Sequence, residues 1–341
     1  MNASQVNGEL LTKSIALIKS AQYPSGLFPA SPKGVSTGYN LAWIRDNVYA
    51  ALGLASTNEK KAAINAIRAL LAILKKHEYK IDWIIKQPEP KHSYRYIHAR
   101  YDPLTGNEIW EPWGNKQNDA IGALLFNIGR LERTGIKVIR NEADIRVLQK
   151  LVNYLEAIQY WHDADNGMWE ENEELHASSV GACVAGLRAV QGIVDVPPRL
   201  IEKGMHTLNA LLPNESPTKK ADLSLLSLIY PYEVVNKEMA ELILANIEGS
   251  LVRERGVIRY VGDTYYMGER EASWTIGLPW LAIAWKALNR PDKYAYYMRK
   301  TINIMNEEGE LPELYIDDGP KHNENSPLIW AQAMFLIAST L

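Results

Sequence analysis

Apolar residues recur along most of the chain at steps of three and four, the spacing that lines side chains up on one face of an α-helix. Ile64, Ile67, Leu70, Leu71 and Leu74 form one stripe, and Ile121, Leu124, Leu125, Ile128 and Leu131 another. The same spacing runs through 10–18, 147–158, 180–190, 223–229, 239–247, 281–288 and 328–336. By this pattern the chain holds about a dozen helices. Segments rich in Gly, Pro, Asn and Asp separate them, at 23–38, 101–116, 163–174, 256–270 and 309–326. These are helix breakers and turn formers. The β-branched and aromatic residues of 255–266 predict a short hairpin. Neither a low-complexity linker nor a close repeat divides the sequence, so residues 1–341 read as one all-α domain. Periodicity alone leaves a superhelix, a bundle and a closed barrel equal. A barrel with long loops at one mouth would gather aromatic and acidic side chains into one pocket.

Composition narrows the chemistry. Lys and Arg number 37 against 40 Asp and Glu, and no basic block stands out. A nucleic-acid or anionic-lipid partner is therefore not expected, and an uncharged one is. Residues 1–10 lack a basic region followed by an apolar run, and no stretch reaches the ~18 apolar residues of a membrane span. The lone cysteine, Cys183, precludes an internal disulfide and falls on an apolar stripe, as a buried small hydrophobe would. A soluble, cytoplasmic protein is expected. Trp (10) and Tyr (18) far outnumber Phe (3), so most rings carry a polar handle. Such rings suit sugars, whose C–H faces lie on aromatic surfaces while their hydroxyls seek hydrogen bonds. No GxGxxG, phosphate loop or HExxH is present and the seven histidines are scattered, so neither cofactor nor metal is expected. Asp163–Asp165 reads equally as a turn or a calcium loop.

Three segments could carry chemistry. In 39–47, Arg45 and Asp46 are neighbours at a loop-to-helix junction and do not face each other on a helix, so both seek outside partners. A planar multiple donor beside a multiple acceptor can hold vicinal hydroxyls, although a helix cap with a surface ion pair would look the same. In 163–171, Glu170 follows Trp169, an apolar neighbour that would raise its pKa as a general acid requires. The alternative is an acidic helix start. Glu313 lies between apolar residues in 311–315 and is a candidate second carboxylate, for which Glu269 and Glu271 compete. Inverting glycosidases place two carboxyls about 6.5 to 9.5 Å apart and retaining ones about 5 to 5.5 Å.

Taken together, the segments resemble glycoside hydrolase family 15, the glucoamylases, and especially the glucoamylase-like domain of phosphorylase kinase α and β subunits. The likeness rests on 25–31 followed by 42–49, on Trp113, Gly114 and 117–120, and on 166–170 followed by 174–181. It continues through 211–227, through Arg259, Tyr260 and 263–266, and through 311–315 with 328–332. The resemblance implies an (α/α)6 barrel with the site at one mouth. It implies inversion, releasing β-D-glucose from non-reducing ends of an α-glucan or maltooligosaccharide. Glu170 would be the acid and Glu313 the base. Tyr39, Trp43, Arg45, Asp46, Trp113, Asp119, Trp169, Glu171 and Arg259 would bind substrate. Glu171 departs from the kinase-subunit pattern, where an arginine follows the acid, and so favours an active hydrolase over a non-catalytic glucan-binding module. The chain has no length for the β-sandwich or starch-binding domain of many relatives, so short glucans are expected rather than raw starch. The linkage, α-1,4, α-1,6 or the α,α-1,1 bond of trehalose, stays open.

Overall fold

The protein, described here as a computed structural model, is defined over residues 3–111 and 113–341; Met1, Asn2 and Pro112 of the expected 1–341 unit lie outside the described residues. These residues form thirteen α-helices. They are α1 (Ala3–Ser20), α2 (Ile44–Ser56), α3 (Lys60–Lys76), α4 (Glu78–Lys86), α5 (Asn118–Arg133), α6 (Glu142–Ile158), α7 (Ala177–Val190), α8 (Pro198–Leu211), α9 (Leu226–Ile229), α10 (Lys237–Ser250), α11 (Gly277–Ala287), α12 (Pro291–Asn303) and α13 (Ile329–Thr340).

Burial sorts the helices into two rings. In α13 every residue from Ile329 to Ala338 is buried, and in α7 only Arg188 is not. A helix apolar all round belongs inside. By contrast α8 buries only Leu200, Gly204, Thr207 and Leu208, and α12 only Tyr297, Met298 and Thr301. The inner helices close on themselves: α2 packs on α5, α5 on α7, α7 on α9, α9 on α11, α11 on α13, and α13 back on α2. Outside, α1 backs α13, α3 backs α2, α8 backs α7, α10 backs α9 and α12 backs α11, while α6 rests on α3 and α4. This is the (α/α)6 barrel that the resemblance implies, with α4 added to the outer layer. Inside it Tyr49 stacks on Trp330 at 4.7 Å, with Trp280 edge-on to Tyr49 at 5.7 Å.

The α5–α7 crossing is the closest in the ring and depends on small residues. Gly122 and Gly129 lie against the backbone of Ala182 and Ala189, and Gly186 against that of Gly122, leaving no space for a Cβ.

Two expectations need correction. Residues 255–266 form no hairpin; Val257 makes single bridges to Val252 and Trp274, and the chain then turns through Gly262 (φ 89°) and Tyr266 (φ 52°). Arg259 bonds Asp263 four residues on, closing that turn instead of lying along a strand. The 223–229 stripe yields a 3₁₀ turn and the one-turn α9, because Pro231 follows and cannot continue a helix. The extended pairs occur elsewhere. Ala42–Trp43 pairs antiparallel with Arg100–Tyr101, and Ser273–Trp274 with Leu314–Tyr315. Both pairs tie loops together just ahead of inner helices, so the segments entering the inner ring meet at one mouth.

Candidate active site

A cavity of about 630 Å³ opens at that mouth. It is lined by residues that enter or begin the inner helices: Tyr39, Trp43, Arg45 and Asp46 around the start of α2, Trp113 before α5, Trp169, Glu170 and Glu171 before α7, Arg259 and Trp274 before α11, and Glu313 and Trp330 around α13. Ten expected site residues are thus brought together.

Arg45 reaches across the ring. Its Nη1 donates to Asp119 Oδ2 and Gln117 Oε1, each at 2.9 Å, while Nη2 meets Glu170 Oε1 at 3.3 Å. Asp119 is therefore not a cavity residue, contrary to expectation. It is 1% exposed behind Arg45, held there by the guanidinium, and its role is to fix that group. Asp46, the next residue on the helix, also lines the cavity, and among the described residues no side chain bonds its carboxylate. Burial pushes its carboxyl up to about 6, against the pull of Arg45. Arg45 and Asp46 thus present a donor and an acceptor side by side in the cavity wall.

Glu170 sits on a tight turn. Glu171 N donates to Asn166 O (3.0 Å), Asn166 Nδ2 donates to Glu171 O (2.6 Å), and Glu170 itself adopts φ 65°, uncommon for a residue with a Cβ. Burial pushes its carboxyl up to about 7, with Arg45 pulling the other way. Arg45 wins less than its distance suggests because its charge is shared with Asp119. Trp169 beside it is pinned through its indole Nε1–H to Asp222 Oδ1 at 2.7 Å.

Glu313 is held quite differently. It is fully buried; Oε1 accepts from Tyr39 Oη at 2.6 Å, and Oε2 accepts from Asn323 Nδ2 at 2.5 Å and Asn325 Nδ2 at 2.8 Å. Burial raises its pKa and these three donors lower it, with burial the larger effect. A carboxylate ringed by donors is arranged to be ionised. The competing acids lie outside the cavity: Glu269 is exposed, and Glu271 accepts from Gly262 N at 3.1 Å on the loop surface.

Glu171 borders the cavity and accepts from Tyr260 Oη (2.7 Å) and Arg259 Nη2 (3.0 Å) on one oxygen and from Lys219 Nζ (2.7 Å) on the other. Arg259 is in turn held bidentately by Asp263. The aromatic wall is broader than expected, since Tyr265, Tyr266, Trp274 and Trp330 join it. The supporting residues Gln117, Asp222 and Asp263 fall inside segments that carry the family resemblance, whereas Asn323 and Asn325 carry no periodic or motif signal that would have singled them out. Asp163 and Asp165 are consumed internally by Lys91, Lys116, Asn118 and Ser179, and among the described residues no group of three or more His, Cys, Asp or Glu side chains converges as a metal site. Cys183 is buried, its Sγ 3.3 Å from Asn118 O.

The sequence profile described as glycosyl hydrolases family 15 matches residues 5–207, more than half of the chain. The chain belongs to this family. Its curated family relatives include the phosphorylase b kinase regulatory subunit alpha, liver isoform, of Takifugu rubripes, 28% identical over 283 residues, covering 71% of this chain and 22% of the relative. The skeletal muscle isoform of Oryctolagus cuniculus is 29% identical over 279 residues with the same coverage. The chain thus spans about a fifth of these relatives' length. Among solved structures, a glycosidase variant in complex with glucose superposes with a TM-score of 0.84 at 22% identity, covering 99% of this chain and 98% of the other. The glucoamylase of Saccharomycopsis fibuligera gives 0.71 at 13%, covering 99% and 95%. At these identities the likeness speaks for the fold, and it extends the barrel beyond the profile match to nearly the whole chain.

Proposed function

We propose that residues 1–341 form one catalytic domain, an inverting exo-acting α-glucosidase of the glucoamylase type acting on short α-glucans. The observation that carries this reading is a pair of buried carboxyls with different hydrogen-bond partners in one Trp-lined cavity. Glu170, with its pKa near 7 and one long hydrogen bond, suits a general acid that starts protonated. Glu313, ringed by three donors, suits a general base. The terminal glucose lies against the indole and phenol rings, with Arg45 donating to its hydroxyls and Asp46 accepting from them. Glu170 gives its proton to the glycosidic oxygen as the bond to the anomeric carbon breaks. A water, losing its proton to Glu313, attacks that carbon from the opposite face, which yields β-D-glucose. Glu170 ends ionised and Glu313 protonated, and exchange with solvent restores both. The reading sets the enzyme in the cytoplasm, where its lone buried thiol stays reduced.

The kinship with kinase regulatory subunits favours one second reading, a glucan-binding module without turnover. Incubation with maltose, isomaltose, trehalose and maltotetraose separates the two. The enzyme reading predicts glucose from at least one of them, which also names the linkage. Oligosaccharide binding by calorimetry with no glucose from any would favour the module.

A further inference from the structure

Glu313 is approached by two amides that do not line the cavity, and their placement is set by the backbone. The run 311–315 lies antiparallel to 322–328: Leu328 N donates to Leu311 O at 2.8 Å, Glu313 N to Asn325 O at 2.9 Å, and Asn323 N to Leu314 O at 3.3 Å. Asn323 and Asn325 are two apart in this extended run, so both side chains fall on the side facing the carboxylate. The Asn325 amide is also oriented from behind, since Thr37 Oγ1 donates to its Oδ1 at 2.6 Å, which turns Nδ2 toward Glu313. Gly34 leaves room for that amide, as a Cβ there would stand 2.6 Å from Oδ1.

A carboxylate offers about four in-plane lone-pair directions, two on each oxygen. Both directions on Oε2 are filled by Asn323 and Asn325, and one on Oε1 is filled by Tyr39. One direction remains, on Oε1. We infer that Asn323 and Asn325 are positioning residues that hold the Glu313 carboxylate ionised and leave Oε1 as the atom that takes the proton from water. The inference rests on the reading of Glu313 as general base. The other charged or titratable groups facing Glu313 are Tyr39, Tyr265, Tyr266, Arg259 and Asp46. None of them bonds Oε2, so the two amides are the partners whose loss frees that oxygen.

The test uses Asn325→Ala and Asn323→Ala, each of which removes one donor to Oε2. Losing a donor to an ionised group raises the pKa of that group, by about one pH unit per bond. The acidic limb of the kcat–pH profile therefore moves up by about one pH unit, and kcat on that limb falls by up to about tenfold. KM moves little, because neither amide lines the cavity. The Glu313 carboxyl titration, followed by carbon-13 NMR in labelled protein, moves up in step and needs no turnover. Should either variant fail to fold, Thr37→Val, which releases the Asn325 amide together with a contact to Gly34 O, carries the same prediction with a smaller shift. Folded variants with wild-type titration and an unmoved acidic limb would overturn the inference. A wild-type protein that releases no glucose would instead remove the reading beneath it, while the NMR titration still tests the clamp itself.

Discussion

Two carboxyls of the same chemical kind are set apart by what touches them. Glu170→Gln and Glu313→Gln are each expected to abolish glucose release while circular dichroism and melting temperature stay near wild type; appreciable turnover in either removes that residue from the mechanism. The acid must be protonated to work, and burial holds the Glu170 carboxyl near 7. Activity should therefore fall as pH rises through about 7, a limb absent if another group supplies the proton. Both acids were visible in the sequence, Glu170 through its Trp neighbour and Glu313 through its apolar flanks. The residues by themselves leave Glu313 level with Glu269 and Glu271, and only the family resemblance names Glu313, because the choice depends on which of three loop acids the fold buries. The amides that hold Glu313 were not visible. Asn323 and Asn325 act through contacts 10 and 12 positions away, and no local pattern encodes such partners.

The helices are the most legible level, since each of the nine apolar stripes falls on a helix of the barrel, although 223–229 gives only a 3₁₀ turn and the one-turn α9. The exceptions are informative. The 255–266 segment has strand-like composition, yet it spends Arg259 and Tyr260 on Glu171 and turns at Gly262. Site contacts there override propensity. Helix contacts also give a paired prediction. Gly186 on α7 has no space for a methyl group against α5, so Gly186→Ala should destabilise by roughly 1–3 kcal/mol. Gly249, exposed near the end of α10 with nothing within 4 Å, should gain by roughly 0.5–1 kcal/mol as alanine. Urea unfolding of both measures the contrast, and equal effects would deny the close crossing.

Closure of the ring is what periodicity could not supply, because α13 must return to α2 across almost the whole chain. A buried charge network lies beneath the acid's loop. His176, at the start of α7, lies against Gly167, and its Nδ1 is 3.3 Å from Glu215 Oε1. Burial works to lower its pKa, but Glu215, Asp165 and Asp222 outweigh burial and raise it to about 9. A histidine whose folded pKa lies above its unfolded value stabilises the fold fully below about 6.5 and loses that contribution as pH rises through about 9. Wild-type protein should accordingly lose stability between pH 6.5 and 9.5, by no more than ~3 kcal/mol, and His176→Gln should lose less over that window. Parallel denaturation curves at the two pH values for both proteins would contradict it.

The account of the whole molecule turns on inversion across two opposed carboxylates. Proton NMR of the first product, recorded before mutarotation, reads this in one spectrum. The account predicts that the cleaving substrate yields β-glucose first. Early α-glucose would contradict it, since that outcome requires a covalent intermediate on one carboxylate rather than water activated by Glu313.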